Sequence, residues 1–390
     1  MSGKVIILGG GIGGLCASIA LRQAGVRTVL YEQARQFSEV GAGIQVWVTG
    51  MRALRTLGVA DAVRDAGAEL HRHRFLNDAG SPLYDVDLVG LARKHRAPAP
   101  VMLPRSALVD ALSTGVDHDT VRLGRRVTAV APAPDRVTVT FADGTTDDGD
   151  LLIAADGIGS SVRRRLFPQV GVRTAGYRYV RALVPHPAPF GEHVFAMTLG
   201  RGNRIAVGDC GSGNLYWLVG LKRPTVPLGG DLDTLKDDLL TRFRSFPADV
   251  ASAIAATPAD RMIHHAVRDL EPVPTWGRGR VFLLGDAAHA TTPNLGRGSG
   301  QAMLDAITLA GLLRAADLSD AGRLRHVLDE YTRRRKPLAE ALQRTSWKIG
   351  NITSWDSRPM VTARDAIMRT VAGRRQVADI EAQFALAVRG

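Results

Sequence analysis

Apolar residues follow two different periods near the start of the chain. Residues 5–8 form a short apolar run, and residues 12–24 carry apolar side chains at helical spacing until Gly25 ends the pattern. Residues 28–31 form a second apolar run. A short strand, a helix and another strand in this order predict a βαβ unit, in which the helix joins two parallel strands.

Glycines fill the turn between the first predicted strand and the helix. Gly9, Gly11 and Gly14 have the spacing G-x-G-x-x-G, and Ile12 and Gly13 lie between them. In a βαβ unit the first glycine allows the tight turn, and the second lets backbone N–H groups approach a pyrophosphate. The third allows close packing of the helix on the strand. The pattern therefore predicts a dinucleotide site.

An acidic residue stands at the end of the second predicted strand. The Glu32 carboxylate can accept hydrogen bonds from ribose hydroxyls and would repel a 2′-phosphate, which favours FAD or NAD over NADP. Arg35 weakens this preference because its charge is of the opposite sign. We predict that Glu32, Gln33 and Arg35 lie at the adenosine end of the site.

Two later apolar runs each end in a glycine and an acidic residue. They are residues 151–154, followed by Asp156 and Gly157, and residues 281–284, followed by Gly285 and Asp286. The Asp286 carboxylate can accept hydrogen bonds from a polyol such as ribitol, which FAD contains and NAD lacks. A helix that begins near Gly298 would point its positive end at the same place. A single pair of this kind is also typical of an ordinary turn, but both pairs beside the N-terminal glycines predict FAD.

The hydrophobic pattern changes between the motif at Asp156-Gly157 and the motif at Gly285-Asp286. Short strand-like runs separated by Gly, Pro and Asn turns predict an antiparallel sheet inserted into the cofactor-binding fold; they span residues 179–184, 194–199, 204–208 and 215–221. Residues 68–98 are predicted to add a strand or loop to this sheet. After residue 324 the pattern is helical, and we expect the last forty residues to be helices packed on the outside.

The predicted fold class is α/β, with a Rossmann-like FAD-binding domain, an inserted antiparallel-sheet substrate domain and C-terminal helices. The segments assigned to the FAD-binding domain are residues 1–70, 99–178 and 269–335. The substrate domain takes residues 71–98 and 179–268, and the C-terminal helical segment takes residues 336–390.

Over about residues 4–335 these motifs resemble those of the single-component (class A) FAD-dependent aromatic hydroxylases, the para-hydroxybenzoate hydroxylase-like monooxygenases. The family's signatures fall on residues 9–14, on Ala155-Asp156-Gly157, and on Gly285-Asp286 with Pro293. Its loop beside the flavin ring matches Gly41-Ala42-Gly43-Ile44, and its flavin-contacting arginine matches Arg105. Departures from the family pattern are Arg297, where Gln is more usual, and Gly300 and Thr49, where Asn is.

The resemblance implies a monooxygenase that uses FAD, O₂ and a transient reductant, NADPH or NADH, to hydroxylate a small aromatic, heteroaromatic or polycyclic substrate through a flavin C4a-hydroperoxide. Further flavin contacts are expected at Gly43, Ile44, Arg105, Val127, Pro293, Gly296, Gly298 and Ser299. The alternatives are a flavin-dependent dehydrogenase or epoxidase on the same scaffold, and a redox-silent FAD-binding protein. NAD(P)H oxidation separates the last of these from the others.

Candidate substrate contacts come from the predicted sheet and the flavin loop. Arg204 and Tyr216 lie on adjacent predicted strands, where Arg204 could pair with a substrate anion and Tyr216 could orient or deprotonate a substrate hydroxyl. Trp47 and Pro293 are predicted to contact the substrate as well. The competing interpretation places Trp47 and Tyr216 in the core. His289 is interpreted as a hydrogen-bonded structural histidine, although it lies close in sequence to Asp286.

The composition and charge of the chain limit the kinds of partner that it is expected to bind. The net charge of +12 comes from scattered basic residues without interleaved aromatics, so it favours solvated helix faces, or a field that steers anionic ligands, over nucleic-acid binding. Two cysteines cannot form a disulfide framework, and no run of about eighteen apolar residues predicts a membrane span. We expect a cytoplasmic monomer or homodimer that binds a small molecule and O₂, without a metal site.

Overall fold

The computed structural model of the protein describes residues 3–37, 43–188 and 190–386. In chain order, the strands of these residues are β1 (Lys4–Leu8), β2 (Arg27–Tyr31), β3 (Gly43–Val46), β4 (Ala68–Glu69), β5 (Arg72–Asn77), β6 (Pro82–Asp87), β7 (Val101–Pro104), β8 (Val121–Arg122), β9 (Val127–Pro132), β10 (Val137–Phe141), β11 (Thr146–Gly149), β12 (Leu151–Ala154), β13 (Val172–Pro185), β14 (Val194–Leu199), β15 (Asn203–Asp209), β16 (Asn214–Leu221), β17 (Ile263–Leu270), β18 (Gly277–Arg278) and β19 (Val281–Leu283). The helices are α1 (Ile12–Gln23), α2 (Val48–Leu57), α3 (Ala60–Asp65), α4 (Leu88–Lys94), α5 (Arg105–Ser113), α6 (Ser161–Leu166), α7 (Leu232–Phe243), α8 (Ala248–Ala256), α9 (Asp286–His289), α10 (Gly298–Leu313), α11 (Ala321–Thr353), α12 (Arg358–Ile367) and α13 (Gly373–Leu386).

The predicted βαβ unit forms the centre of a six-stranded sheet in the order β18-β19-β12-β1-β2-β8. All neighbouring strands in it are parallel except the edge pair β18 and β19. Val5, Ile6 and Ile7 are fully buried, as expected for a central strand covered on both faces. Helices α1 and α10 pack against each other, and the predicted α/β class is confirmed.

The four strand-like runs between residues 179 and 221 are β13 to β16, as the sequence predicts. They belong to a seven-stranded sheet in the order β17-β13-β16-β15-β14-β5-β6. The prediction of a purely antiparallel sheet is wrong at one place, because β5 runs parallel to β14. The hairpin of β5 and β6 supplies two strands from residues 68–98 and docks as a unit on the free edge of β14.

Side chains alternate across the seven-stranded sheet, so its two faces have different roles. Trp217 and Val219 pack on one face against α7 and α8, where Leu235 and Leu239 are fully buried. Tyr216 is directed to the opposite face and packs with other apolar residues there. This second face is turned toward the first sheet and forms part of the candidate site described below.

The C-terminal helices differ from the expectation that they pack on the outside. Helix α11 continues through Pro337 for 33 residues, and α13 buries Ile380 and Phe384 in the same cluster as Trp47. An apolar pair four residues apart lies on one helix face, which explains why α13 packs inward. In the described part of the chain, no helix is both long and apolar enough to cross a membrane. The predicted domain boundaries remain a prediction.

Candidate functional site

The three glycine-containing motifs meet at one edge of the six-stranded sheet. Strands β1, β12 and β19 are neighbours and run parallel, so their carboxyl ends lie side by side. A Cβ on Gly9 would lie 2.4 Å from the Ala155 carbonyl oxygen, and one on Gly13 would lie 2.9 Å from the Leu284 side chain. The N-terminal turn therefore touches both of the later motifs, and a ligand-binding crevice at this edge is typical of parallel sheets.

The glycine turn has the geometry of a phosphate cradle. Gly9 has a φ of +102°, which favours glycine, and a Cβ on Gly14 would lie 1.8 Å from the Gly9 carbonyl oxygen. Gly11 differs, because nothing lies within 4 Å of its Cβ position. Gly11 is also the N-cap of α1, and no side chain caps this helix. The free N–H groups and the open space beside Gly11 fit the pyrophosphate of a dinucleotide.

Glu32 is held in place at the end of β2. Its carboxylate accepts hydrogen bonds from the backbone N–H of Gly10 (2.6 Å) and of Ala34 (2.8 Å). Each carboxylate oxygen has a second lone pair, so the group can still accept a ribose hydroxyl. Gln33 and Arg35 are exposed beside it.

Val127, another residue predicted to contact the cofactor, opens β9 and is half-buried against the main core. The segment that leads into β9 is joined to the end of β2, because the Gly124 and Arg125 N–H groups donate to the Ala34 and Glu32 carbonyls. Val127 therefore follows, two residues later in the chain, a segment that is hydrogen-bonded to the end of β2.

The two later motifs present carboxylates at the same edge. One oxygen of Asp156 accepts from the Ser161 N–H (3.0 Å), whereas Oδ1 is buried without a hydrogen bond from any described residue. Asp286 is exposed at the start of α9, directly after Gly285, whose φ is +61°. An orphaned buried oxygen and an exposed carboxylate are acceptors that a polyhydroxylated ligand can satisfy.

Helix α10 points its N-terminus into the same crevice. It begins at Gly298, as predicted, has no side-chain cap, and carries no acidic residue in its first turn. Gly298, Ser299 and Gly296 line the adjoining cavity, and Pro293 opens a short helical turn just before them. The helix dipole would therefore stabilise negative charge on a ligand placed there.

The opposite side of the crevice is formed by β3 and the start of α5. Gly43 and Ile44 lie on β3, which pairs with β7, and Arg105 follows β7 directly. A Cβ on Gly43 would lie 2.5 Å from the Tyr216 ring, so this glycine permits close packing of β3 on β16 of the seven-stranded sheet. Gly41 and Ala42 of the predicted flavin loop lie outside the described residues.

A cavity of about 380 Å³ opens between this crevice and the seven-stranded sheet. Most of its lining is apolar, and its aromatic and sulfur-containing side chains include Trp47, Phe75, Tyr84, Met102, Phe195 and Met197. The C-terminal helical region adds another wall through Ile349, Ile352, Thr353, Met368 and Gln376. A cavity of this size and polarity suits a small aromatic ligand.

Arg204 lies in this cavity wall, but protein acceptors hold its guanidinium. Its Nη1 donates to Ser354 Oγ (2.7 Å), and its Nη2 donates to Tyr179 Oη (2.8 Å) and Asn294 Oδ1 (3.0 Å). The guanidinium also stacks 4.6 Å from the ring centre of Tyr177. These contacts do not support the predicted pairing of Arg204 with a substrate anion, and they join the sheet to the loop at Asn294 and to the end of α11.

Tyr216 and Trp47 belong to the core and also line the cavity in which the substrate contacts are predicted. Both line the cavity and both are almost fully buried in the adjoining apolar cluster. Burial raises the pKa of Tyr216 to about 12, so its phenol stays protonated at neutral pH. A raised pKa makes the phenol a weak base at neutral pH. Both suggested roles of Tyr216, orienting a substrate and deprotonating a substrate hydroxyl, stay predictions.

His289 has a structural role, as predicted. Its Nε2 lies 2.5 Å from Asp305 Oδ2, and its ring packs 4.8 Å from that of Trp276. Asp305 is completely buried and also accepts from Arg335 Nε at 2.8 Å. Burial acts to raise the pKa of Asp305, but the charges and hydrogen bonds of His289 and Arg335 outweigh it and lower this pKa below its usual value.

Sequence reasoning missed His73 and the role of Arg297 in the cavity. His73 lies on β5 and lines the cavity together with Phe75, two residues later on the same strand face. Arg297 is one of the three departures from the family pattern, and it lies over the Trp47 ring at 5.0 Å. The departure from the family pattern was the signal that could have pointed to Arg297. No sequence signal pointed to His73, because its place in the cavity depends on the docking of β5 on β14.

Comparison with known proteins gives consistent matches. A family model described as FAD binding domain matches residues 2–346. The chain is 34% identical over 372 residues to the aurachin C monooxygenase/isomerase of Stigmatella aurantiaca, covering 95% of each chain. It is 35% identical over 319 residues to the FAD-dependent urate hydroxylase of Klebsiella pneumoniae, covering 80% of this chain and 81% of the relative.

A solved structure of Klebsiella pneumoniae HpxO complexed with FAD and uric acid superposes with a TM-score of 0.89 at 30% sequence identity. The match covers 98% of this chain and 97% of that one. The similarity therefore extends over both sheets and the C-terminal helices.

Proposed function

The chain belongs to the FAD binding domain family, and we propose that it is an FAD-dependent monooxygenase that uses NAD(P)H and O₂ to hydroxylate a small aromatic or heteroaromatic substrate. This proposal depends on one observation, the direct contact between a predicted cofactor site and an apolar cavity. The glycine and carboxylate motifs converge at one sheet edge, and a largely apolar cavity opens directly onto that edge at Asp286 and the start of α10.

The residues at the sheet edge would hold FAD in three places. The uncapped start of α1 at Gly11 would bind the pyrophosphate, Glu32 the adenosine ribose, and Asp286 the ribitol. When bound, FAD supplies the hydride acceptor and the site of O₂ activation. The N-terminus of α10 would stabilise negative charge on the reduced ring by roughly 0.3–1 kcal/mol if exposed and up to about 2 kcal/mol if partly buried.

The cavity residues supply orientation and exclude water. Apolar side chains on both sides hold a flat ring against the flavin end of the cavity, and a dry site protects reactive oxygen species from side reactions. Tyr216 keeps its proton and can donate a hydrogen bond to a substrate oxygen. One dinucleotide fingerprint is present in the sequence, so we infer that NAD(P)H binds transiently rather than in a second Rossmann domain.

We expect Asp286→Ala to weaken FAD binding because a charge-assisted hydrogen bond to ribitol is lost. The expected loss is about 1.5–3 kcal/mol, or roughly ten- to a hundredfold in the flavin dissociation constant. Glu32→Ala should also weaken binding through the ribose. Equilibrium dialysis or flavin fluorescence titration measures both constants.

The matched control is Asp237→Ala, which removes an exposed carboxylate from α7 on the far face of the seven-stranded sheet. Its FAD affinity should equal that of the natural chain. Unchanged FAD affinity in both Asp286→Ala and Glu32→Ala would contradict the proposed placement of the cofactor.

Turnover with isotopically labelled O₂ tests the reaction class. A panel of phenolic, heteroaromatic and polycyclic compounds should contain substrates that strongly stimulate NAD(P)H oxidation and that gain one oxygen atom from O₂. Poor analogues should release hydrogen peroxide because they let water into the cavity. Product oxygen derived from water would identify a dehydrogenase instead. A protein that binds FAD but never oxidises NAD(P)H would be a redox-silent binding protein.

A further inference from the structure

Unpartnered polar atoms gather around Gly296 at the flavin end of the cavity. Gln45 Oε1 and Trp47 Nε1 each lie 3.3 Å from the position that a Cβ on Gly296 would take. Within the described residues, Gln45 Nε2, Trp47 Nε1, Arg297 Nε and both ring nitrogens of His73 are buried and make no hydrogen bond. His73 is 7% exposed and Trp47 5% exposed. Because buried polar groups are normally paired, this cluster points to a ligand that pairs with them.

The cluster is rich in donors and carries a cation. The Arg297 guanidinium lies 5.0 Å from the Trp47 ring centre, and its Nε makes no hydrogen bond within the described residues. Burial lowers the pKa of Arg297 to about 10, and the charge of the exposed Asp379 only partly opposes this, so the side chain remains charged at neutral pH. Burial and the charge of Arg297 lower the pKa of His73 to about 3, so the imidazole stays neutral.

Two other arginines of the cavity wall, Arg204 and Arg181, donate to protein side chains. Arg204 donates to three protein side chains, as described above. Arg181 donates to Tyr216 on the neighbouring strand. Arg297 differs from these two, because its charge lies over the Trp47 ring and its Nε has no hydrogen-bond partner among the described residues.

The surfaces beside the cluster are flat and apolar. The rings of Phe75 and Tyr84 stack at 4.3 Å, and Phe195 lies 4.7 Å from His73. These packed rings give the cavity an aromatic lining, which favours a ligand with a planar ring. The donors around Gly296 favour an oxygen acceptor at one edge of that ring.

We propose that Arg297, Trp47 and His73 form the recognition site for a negatively charged oxygen of the substrate, so that the substrate is a planar aromatic or heteroaromatic anion. Arg297 provides the charge, the Trp47 N–H donates, and neutral His73 donates through one ring nitrogen. This inference rests on the proposed oxygenase function and specifies its substrate class. It assigns to Arg297 the role that the sequence suggested for Arg204.

Ligand binding without turnover tests this assignment. The probes are a hydroxynaphthoate and the hydroxynaphthamide of the same ring pattern, which have nearly the same shape and differ in charge. Affinity is measured by tryptophan quenching and by the change in flavin absorbance, using the FAD-loaded protein. The natural chain should bind the anion at least about tenfold more tightly than the amide, because charge-assisted pairing favours the carboxylate.

The variants separate a substrate contact from a structural or flavin contact. Arg297→Gln should weaken anion binding roughly ten- to a hundredfold while amide binding and the FAD dissociation constant stay unchanged. Arg297→Lys should restore part of the anion preference, and His73→Phe should reduce it by a smaller factor. Arg325→Gln, which removes an exposed charge from α11, is the matched control and should change neither affinity.

Three results would overturn the proposal. One is a natural chain without preference for the anion, whether it binds both probes or neither. Another is equal loss of anion and amide binding in Arg297→Gln, and the last is release of FAD from this variant, which would make Arg297 a flavin contact. Because no turnover is involved, failure here is distinct from failure of oxygen incorporation, which would overturn the reaction class instead.

Discussion

We expect Gly11→Val to give a folded protein that no longer binds FAD. The Cβ position of Gly11 has no atom within 4 Å, so the added side chain meets no protein and should leave the fold intact. The same open space is where the proposed pyrophosphate approaches the start of α1, and a valine would fill it. Purified Gly11→Val should therefore be colourless, with far-UV circular dichroism like that of the natural chain.

Gly14→Val is the matched variant with the opposite expectation. Its Cβ would lie 1.8 Å from the Gly9 carbonyl oxygen, and this backbone cannot move aside without breaking the β1–α1 turn. We expect destabilisation of at least about 4–5 kcal/mol, seen as loss of soluble folded protein or of the cooperative unfolding transition. Full retention of FAD by Gly11→Val would contradict the proposed site, and a stable Gly14→Val would contradict the packing.

Asp305→Ala should destabilise the protein by about 3–5 kcal/mol, because it leaves the Arg335 cation without its buried carboxylate. Asp305 is fully buried, Arg335 is 5% exposed, and the two are 2.8 Å apart. Oδ2 also accepts from the Gly285 N–H at 3.3 Å, so the variant should loosen the turn before Asp286 as well. Urea unfolding monitored by tryptophan fluorescence measures the loss, and Asp237→Ala on exposed α7 should change it by less than about 0.5 kcal/mol.

Acid should reduce the difference between Asp305→Ala and the natural chain. The pKa of Asp305 is lowered in the folded state by His289 and Arg335, against the opposing effect of burial. A carboxylate with a depressed pKa contributes its full stabilisation above the unfolded pKa of about 4, and this is lost as the pH falls through the folded value. A difference in unfolding free energy that grows toward acid pH would show that the Asp305 charge is not the stabilising feature.

The elements that the sequence predicted well are fixed by local steric rules. Residues 151–154 form a strand with the predicted bounds, and Gly298 begins a helix, because apolar runs and glycine turns act over a few neighbouring residues. The convergence of the three motifs also followed from local reasoning, since parallel strands share one carboxyl edge. The cofactor contacts assigned to these motifs stay a prediction.

Features that depend on distant residues could not be predicted. The parallel docking of β5 on β14 joins strands more than a hundred residues apart in sequence, and it brings His73 into the cavity. The hydrogen bonds of the Arg204 guanidinium likewise depend on Asn294 and Ser354, which lie far from it in sequence. Residue type alone suggested an anion partner at Arg204, whereas tertiary contacts decide which arginine of the cavity keeps free donors.

The point where the family match stops has a consequence for how such proteins diverge. Ile349, Ile352, Met368 and Gln376 line the cavity but lie beyond residue 346, the last position matched by the family model. The glycines and acids proposed to hold FAD all lie before it. Substitutions after residue 346 can therefore reshape one wall of the cavity without changing any residue proposed to hold FAD. Substitutions at Trp47, His73 or Arg297 would instead change the cavity inside the matched region.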